Sequence, residues 1–200
     1  MNIYVETNFV LELAFEQEQS ESCEQILQLA ETEQVKLILP AYSLAEPHEK
    51  LNRQATKRKK LQNELNIELR QLSRSKTYTS RIESIRDLAR LIAQSNEEEW
   101  HRFVQHRERL MNCAEFIALD LQVLQAAVSF EELYNLNSQD AIILASIISH
   151  LQTTKPNKAC FPNKNTKDFD SPDVVQALLE LNCRMIPRFN HALRYLQSQL

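Results

Sequence analysis

The chain has 200 residues, 43% of them hydrophobic and 25% charged, the profile of one globular domain with a sizeable core. A net charge of −4 excludes a uniformly basic nucleic-acid binder, and the complete absence of Gly excludes the Gly-rich phosphate loops of GxGxxG and Walker-type nucleotide sites. Charge is unevenly spread: residues 48–90 hold twelve Lys/Arg against five Asp/Glu, and the rest of the chain eleven against twenty-two, so one basic segment sits in an acidic protein.

The start, Met1-Asn2-Ile3-Tyr4-Val5-Glu6, lacks the basic flank and long apolar run of a signal peptide. The longest apolar stretch, around residues 141–148, is too short to span a bilayer. A cytoplasmic location without membrane contact is therefore expected. Cys23, Cys113, Cys160 and Cys183 form no CxxC pair, which argues against a zinc or redox motif and for buried thiols in a reducing compartment. With no Gly, turns of positive φ must fall to Asn, Asp or Ser.

Residues 2–5 read as a buried strand. Phe9, Val10, Leu13 and Ala14 then repeat at helical spacing, and Ser20 can cap a second helix with Cys23, Ile26, Leu27 and Ala30 on one face. Residues 35–39 make a second strand, ended by Pro40. Leu51, Ala55, Leu61, Leu65, Leu69 and Leu72 form a helical stripe, with Lys57-Arg58-Lys59-Lys60 mostly off it. A second helix carries Ile82, Ile85, Leu88, Leu91 and Ile92. A third opens at Asn96, where Glu99 completes a capping box, and its core face is Trp100, Phe103, Val104, Leu110 and Met111. These helices read as an insertion over residues 47–113.

The alternation then resumes. A strand covers residues 116–119, and Asp120 caps a helix bearing Leu121, Leu124, Ala127 and Val128. Another helix starts at Asn137 or Ser138. A strand covers 158–161, a helix capped by Ser171 has Pro172 in its first turn, and residues 183–186 form a last strand. Five strands alternating with helices predict an α/β fold in a single domain over 1–200: a three-layer arrangement with a central parallel sheet flanked by helices.

In such sheets, sites form at the carboxyl ends of strands. Glu6 closes the first strand, Glu46 follows the second, Asp140 lies in the first turn of the helix near Asn137, and Asp168 follows the fourth strand. Converging carboxylates repel unless a cation lies between them, and oxygen-only donors suit hard ions such as Mg²⁺ or Mn²⁺. Each acid also has a local reading. Ser43-Leu44-Ala45-Glu46 matches a capping box, Asn137 to Asp140 and Asn165 to Asp168 have related spacing, and first-turn acids favour the helix dipole. Glu6, following an apolar strand, fits that reading least. Residue spacing alone groups no His ligands and no Ser/His/Asp or Cys/His pair.

Val5-Glu6-Thr7-Asn8 resembles the opening of PIN domains, where an acid, a small hydroxyl residue and Asn follow the first strand. Leu39-Pro40 through Glu46 resembles the second PIN motif, Gln139-Asp140-Ala141-Ile142-Ile143-Leu144-Ala145 the third, and Phe161 through Asn165-Thr166-Lys167-Asp168-Phe169 the fourth. The resemblance implies a PIN-like fold and a Mg²⁺- or Mn²⁺-dependent endoribonuclease, a hydrolase with Glu6, Glu46, Asp140 and Asp168 as catalytic and metal-binding acids. Thr7, Asn8 and Asn165 would orient those carboxylates or water, and the product would carry a 5′-phosphate. Many small PIN proteins are toxins paired with an antitoxin and many are dimers, so an antitoxin partner and a homodimer are further expectations.

The chain departs from the motif at its first acid, which in the family is usually Asp. The extra methylene of Glu6 shifts the carboxylate by about 1.5 Å, against the tight geometry of Mg²⁺. That leaves an alternative, a catalytically impaired PIN-like module that binds RNA or protein. At the fourth motif Asp170 and Asp173 stand near Asp168, which fits best. Arg53, Lys57, Arg58, Lys59, Lys60, Arg70 and Arg74 are the expected phosphate contacts for RNA; their alternative is a solvated helix face.

Overall fold

Five short strands form one parallel sheet in the computed structural model of the chain, which describes residues 1–165 and 169–200, without the side chains of 79–81, 83, 84 and 86. In chain order the elements are β1 (Asn2–Tyr4), α1 (Thr7–Phe15), α2 (Ser20–Glu31), β2 (Lys36–Pro40), α3 (Tyr42–Leu72), α4 (Thr79–Cys113) and β3 (Glu115–Ile117), followed by α5 (Leu121–Leu133), α6 (Ser138–Thr154), β4 (Ala159–Pro162), α7 (Pro172–Glu180), β5 (Cys183–Ile186) and α8 (Phe189–Gln197). The sheet order is β3-β2-β1-β4-β5. Asn2 aligns with Lys36 on one side of β1 and with Ala159 on the other.

Strand residues alternate between two apolar layers because successive side chains leave a strand on opposite faces. Ile3, Val5, Leu37, Leu39 and Cys160 join α1, α2 and α8 in one core. Tyr4, Ile38, Ala159, Phe161, Cys183 and Met185 join α5, α6 and α7 in the other. Both faces are covered, as the unbroken apolar strands require. All four cysteines are free thiols, and Cys113 is only partly buried.

Without Gly, positive φ falls on Asn135 and Asn182, as expected, but also on Glu16, Glu33 and Lys155. Glu16 and Lys155 end α1 and α6 with their backbone N–H groups bonded to Glu12 and Leu151 carbonyls. The satisfied helix carbonyl offsets the steric cost of the left-handed backbone.

The central helices differ from the sequence expectation. α4 is one continuous helix of 35 residues, so Asn96 and Glu99 lie inside it and cap nothing. Both instead serve the α3–α4 hairpin: Arg58 donates to Asn96 Oδ1 at 2.9 Å and to both Glu99 carboxylate oxygens at 2.6 and 3.0 Å. The hairpin is also less buried than its apolar stripes suggest. Leu51 and Leu69 are buried, whereas Leu61, Leu72, Leu88, Leu91, Trp100 and Met111 are exposed. On α5 the buried residues are Val123 and Ala127, and Leu121, Leu124 and Val128 face outward.

Glu99 is nearly buried, so truncating it strands the Arg58 guanidinium against an apolar seam. Glu99→Ala is expected to cost about 1–3 kcal/mol, read as a lower urea midpoint. Arg58→Lys should recover only part of an Arg58→Ala loss, because an ammonium cannot reproduce the bidentate fork.

Candidate active site

The chain crosses from the β1-β2-β3 half of the sheet to β4-β5 between β1 and β4, and ligands in open α/β sheets bind outside the carboxyl ends of strands at that switch. Glu6 stands just past the end of β1 and caps α1: its Oε2 accepts from the Asn8 backbone N–H at 2.9 Å. Only 2% of Glu6 is exposed, and its Oε1 is buried without a hydrogen-bond partner. A buried charged oxygen left unpaired is costly, so this atom calls for a proton or a cation.

Glu46 lies in the second turn of α3 and meets Glu6 through Thr7, whose hydroxyl donates to Glu46 Oε2 at 2.5 Å. The capping-box reading does not hold here. α3 opens at Tyr42 behind Ala41, Ser43 is already helical, and the Ser43 hydroxyl is buried without a partner. Pro47 follows Glu46 inside the helix, where it removes one backbone N–H from the helical ladder. Asp140 keeps its capping relation as well: Asn137 caps α6, accepting from the Asp140 N–H at 3.0 Å and donating to Asp140 Oδ2 at 2.6 Å. Asn165, beyond β4, also donates to Asp140 Oδ2, at 3.4 Å.

These contacts set the electrostatics. Burial pushes the Glu6 carboxyl up to about 8, and the charges of Glu46 and Asp140 add to the rise; the Asn8 hydrogen bonds oppose it. Two of the other acids picked out in the sequence, Glu46 and Asp140, therefore act on Glu6. Among the described residues no three His, Cys, Asp or Glu side chains converge closely enough to hold a metal ion, and Asp168 lies outside the described residues. In kind, the donors fit a hard divalent cation: oxygens only, mutually repelling, with a bare buried oxygen on Glu6. Thr7→Val should leave the fold intact and reduce any activity of this site by about 10–100-fold, as loss of an outer-shell donor does; steady-state rates beside a thermal melt check both.

Sequence reasoning missed Asn163. It follows β4 directly, and its backbone N–H donates to the Ile186 carbonyl at 2.9 Å. Asn163 is fully buried, its Oδ1 accepts from the Asn165 N–H at 2.7 Å, and its Nδ2 has no partner. It thus holds the Asn165 loop and keeps a spare buried donor just past the carboxyl end of β4. The nearby Glu12, also buried, is paired with Lys164 at 2.7 Å and accepts from the Gln19 N–H, which places it in the support of the loop.

Of the expected RNA contacts, Arg58 is engaged by Glu99 and lies between the helices. Arg53, Lys57, Lys59, Lys60, Arg70 and Arg74 are exposed. No described helix is long and apolar enough to cross a membrane.

A family model described as PIN domain matches residues 3–169. No curated protein and no solved structure matches the chain.

Proposed function

This chain belongs to the PIN-domain family, whose members are generally nucleases dependent on divalent metal ions, and we propose that it is a Mg²⁺- or Mn²⁺-dependent endoribonuclease. The observation that carries the reading is the bare, buried Glu6 Oε1 at the sheet's switch point, on a carboxyl pushed up further by the charges of Glu46 and Asp140. Glu6, Glu46 and Asp140 are the acids that would hold the cation, with Asp168 as a fourth by its place in the motif. A bound divalent cation supplies Lewis acidity to water and to the phosphodiester.

The rest is the work of this chain's side chains. Asn8 fixes Glu6 through Oε2 and leaves Oε1 directed away from that bond. Thr7 holds Glu46, and Asn137 with Asn165 holds Asp140, so each carboxylate meets the substrate in a set orientation rather than a searched one. Burial and the charges of Glu46 and Asp140 favour the protonated form of the Glu6 carboxyl. A toxin role with a matching antitoxin, and a homodimer, extend the same reading.

The test is incubation of a labelled mixed-sequence RNA with the protein in Mg²⁺ or Mn²⁺. Cleavage to 5′-phosphate ends that EDTA abolishes supports the reading. A folded protein that takes up Mn²⁺ and leaves every such RNA intact refutes it in favour of a binding module.

A further inference from the structure

α3 ties the acidic site to the basic segment. At about 100° per residue, Lys50, Arg53, Lys57 and Lys60 all fall within about 40° of the direction taken by Glu46. All four are exposed. Leu51 and Leu69, with Pro47 and Ser43, mark the buried side of the helix, roughly 100° away. One cation per turn thus runs along a single row that starts at the acid and covers about 21 Å at 1.5 Å per residue.

Two further observations separate this row from an ordinary solvated face. Three arginines of the hairpin are committed: Arg58 to Glu99, Arg102 to Glu16, and Arg109 to Glu24 and Glu31. Among the described residues, Lys50, Arg53 and Lys57 make no ion pair, and Lys60 has only a 4.0 Å contact with Glu64. The row also has an end, because Glu64 and Glu68 occupy its next two positions.

Resting on the ribonuclease reading, we propose that Lys50, Arg53, Lys57 and Lys60 form a track for the backbone of one unpaired RNA strand, leading it to Glu46. One file of charges, with no parallel file of cations on α3 beside it among the described residues, suits a single strand and not a duplex. The track offers charge without an aromatic stacking surface, so it takes about four phosphates irrespective of base sequence. Lys59 and Arg70 point to the opposite flank and lie outside it.

The test compares binding of a fluorescent twelve-nucleotide RNA of mixed sequence, in EDTA, by the wild type, by K50Q/R53Q/K57Q/K60Q and by K59Q/R70Q. Losing four phosphate contacts should flatten the slope of log K against log [salt] by about 2.8 for the track variant; K59Q/R70Q should keep the wild-type slope. Cleavage of the same RNA in Mn²⁺ should lose at least tenfold in kcat/KM in the track variant. Equal losses in both variants, none in the track variant, or equal affinity for a duplex of that length would each overturn the track. If the wild type cleaves nothing while the slope difference persists, the ribonuclease reading fails and the track stands.

Discussion

Asp140→Asn is expected to lower metal-dependent RNA cleavage by at least about 100-fold, the scale of removing one preorganised electrostatic group from an active site, while leaving the melting temperature unchanged or higher. The substitution keeps the shape of the side chain and its ability to accept from Asn137. It removes one of the charges that raise the Glu6 carboxyl. A merely structural cap would behave otherwise: its replacement would cost stability and spare the rate. Rate and melting curve measured on one preparation separate the two roles.

Glu6 carries the second large effect, and it depends on pH. In the unfolded chain its carboxyl titrates near 4.5; folded, burial and the neighbouring carboxylates hold it at about 8. Between those values the folded state binds more protons than the unfolded state. Without metal, stability therefore falls as pH rises through that window, by up to about 1.4 kcal/mol per pH unit, and the loss is complete above about pH 8. Glu6→Gln has no proton to lose. It is expected to overtake the wild type in urea stability as pH climbs from 5 to 8.5 in EDTA, while losing metal-dependent cleavage. A constant difference between the two proteins across that range would show that Glu6 ionises in the folded chain as it does in water.

Much of this was legible in the sequence because it is local. The five strands follow from short apolar runs, and the acids at their ends follow from the rule that α/β sites gather there. What the sequence leaves ambiguous is decided by partners distant in the chain. Glu46 matches a capping box with Ser43, yet its carboxylate is taken by Thr7, 39 positions earlier. Asn96 and Glu99 match a helix start just as well, yet both are bound by Arg58 from the facing helix. Asn163 gave no signal, because its burial and its bond to the Asn165 N–H exist only in the folded chain. Helical spacing marked Leu61, Leu72, Leu121 and Val128 as core, but spacing reports a stripe and not what covers it; these four stay exposed. For Asp140 the local reading holds, since Asn137 caps α6 and bonds both its N–H and its carboxylate.

The most direct measurement is a calorimetric titration of Mn²⁺ into the wild type, Glu6→Gln and Asp140→Asn at pH 7, repeated in two buffers of different ionisation heat. Because Glu6 is protonated at that pH, Mn²⁺ binding to the wild type should release close to one proton, seen as a buffer-dependent heat. Both variants should bind far more weakly. Mn²⁺ that binds all three proteins alike, or binds the wild type without releasing a proton, would show that these acids do not form a metal site.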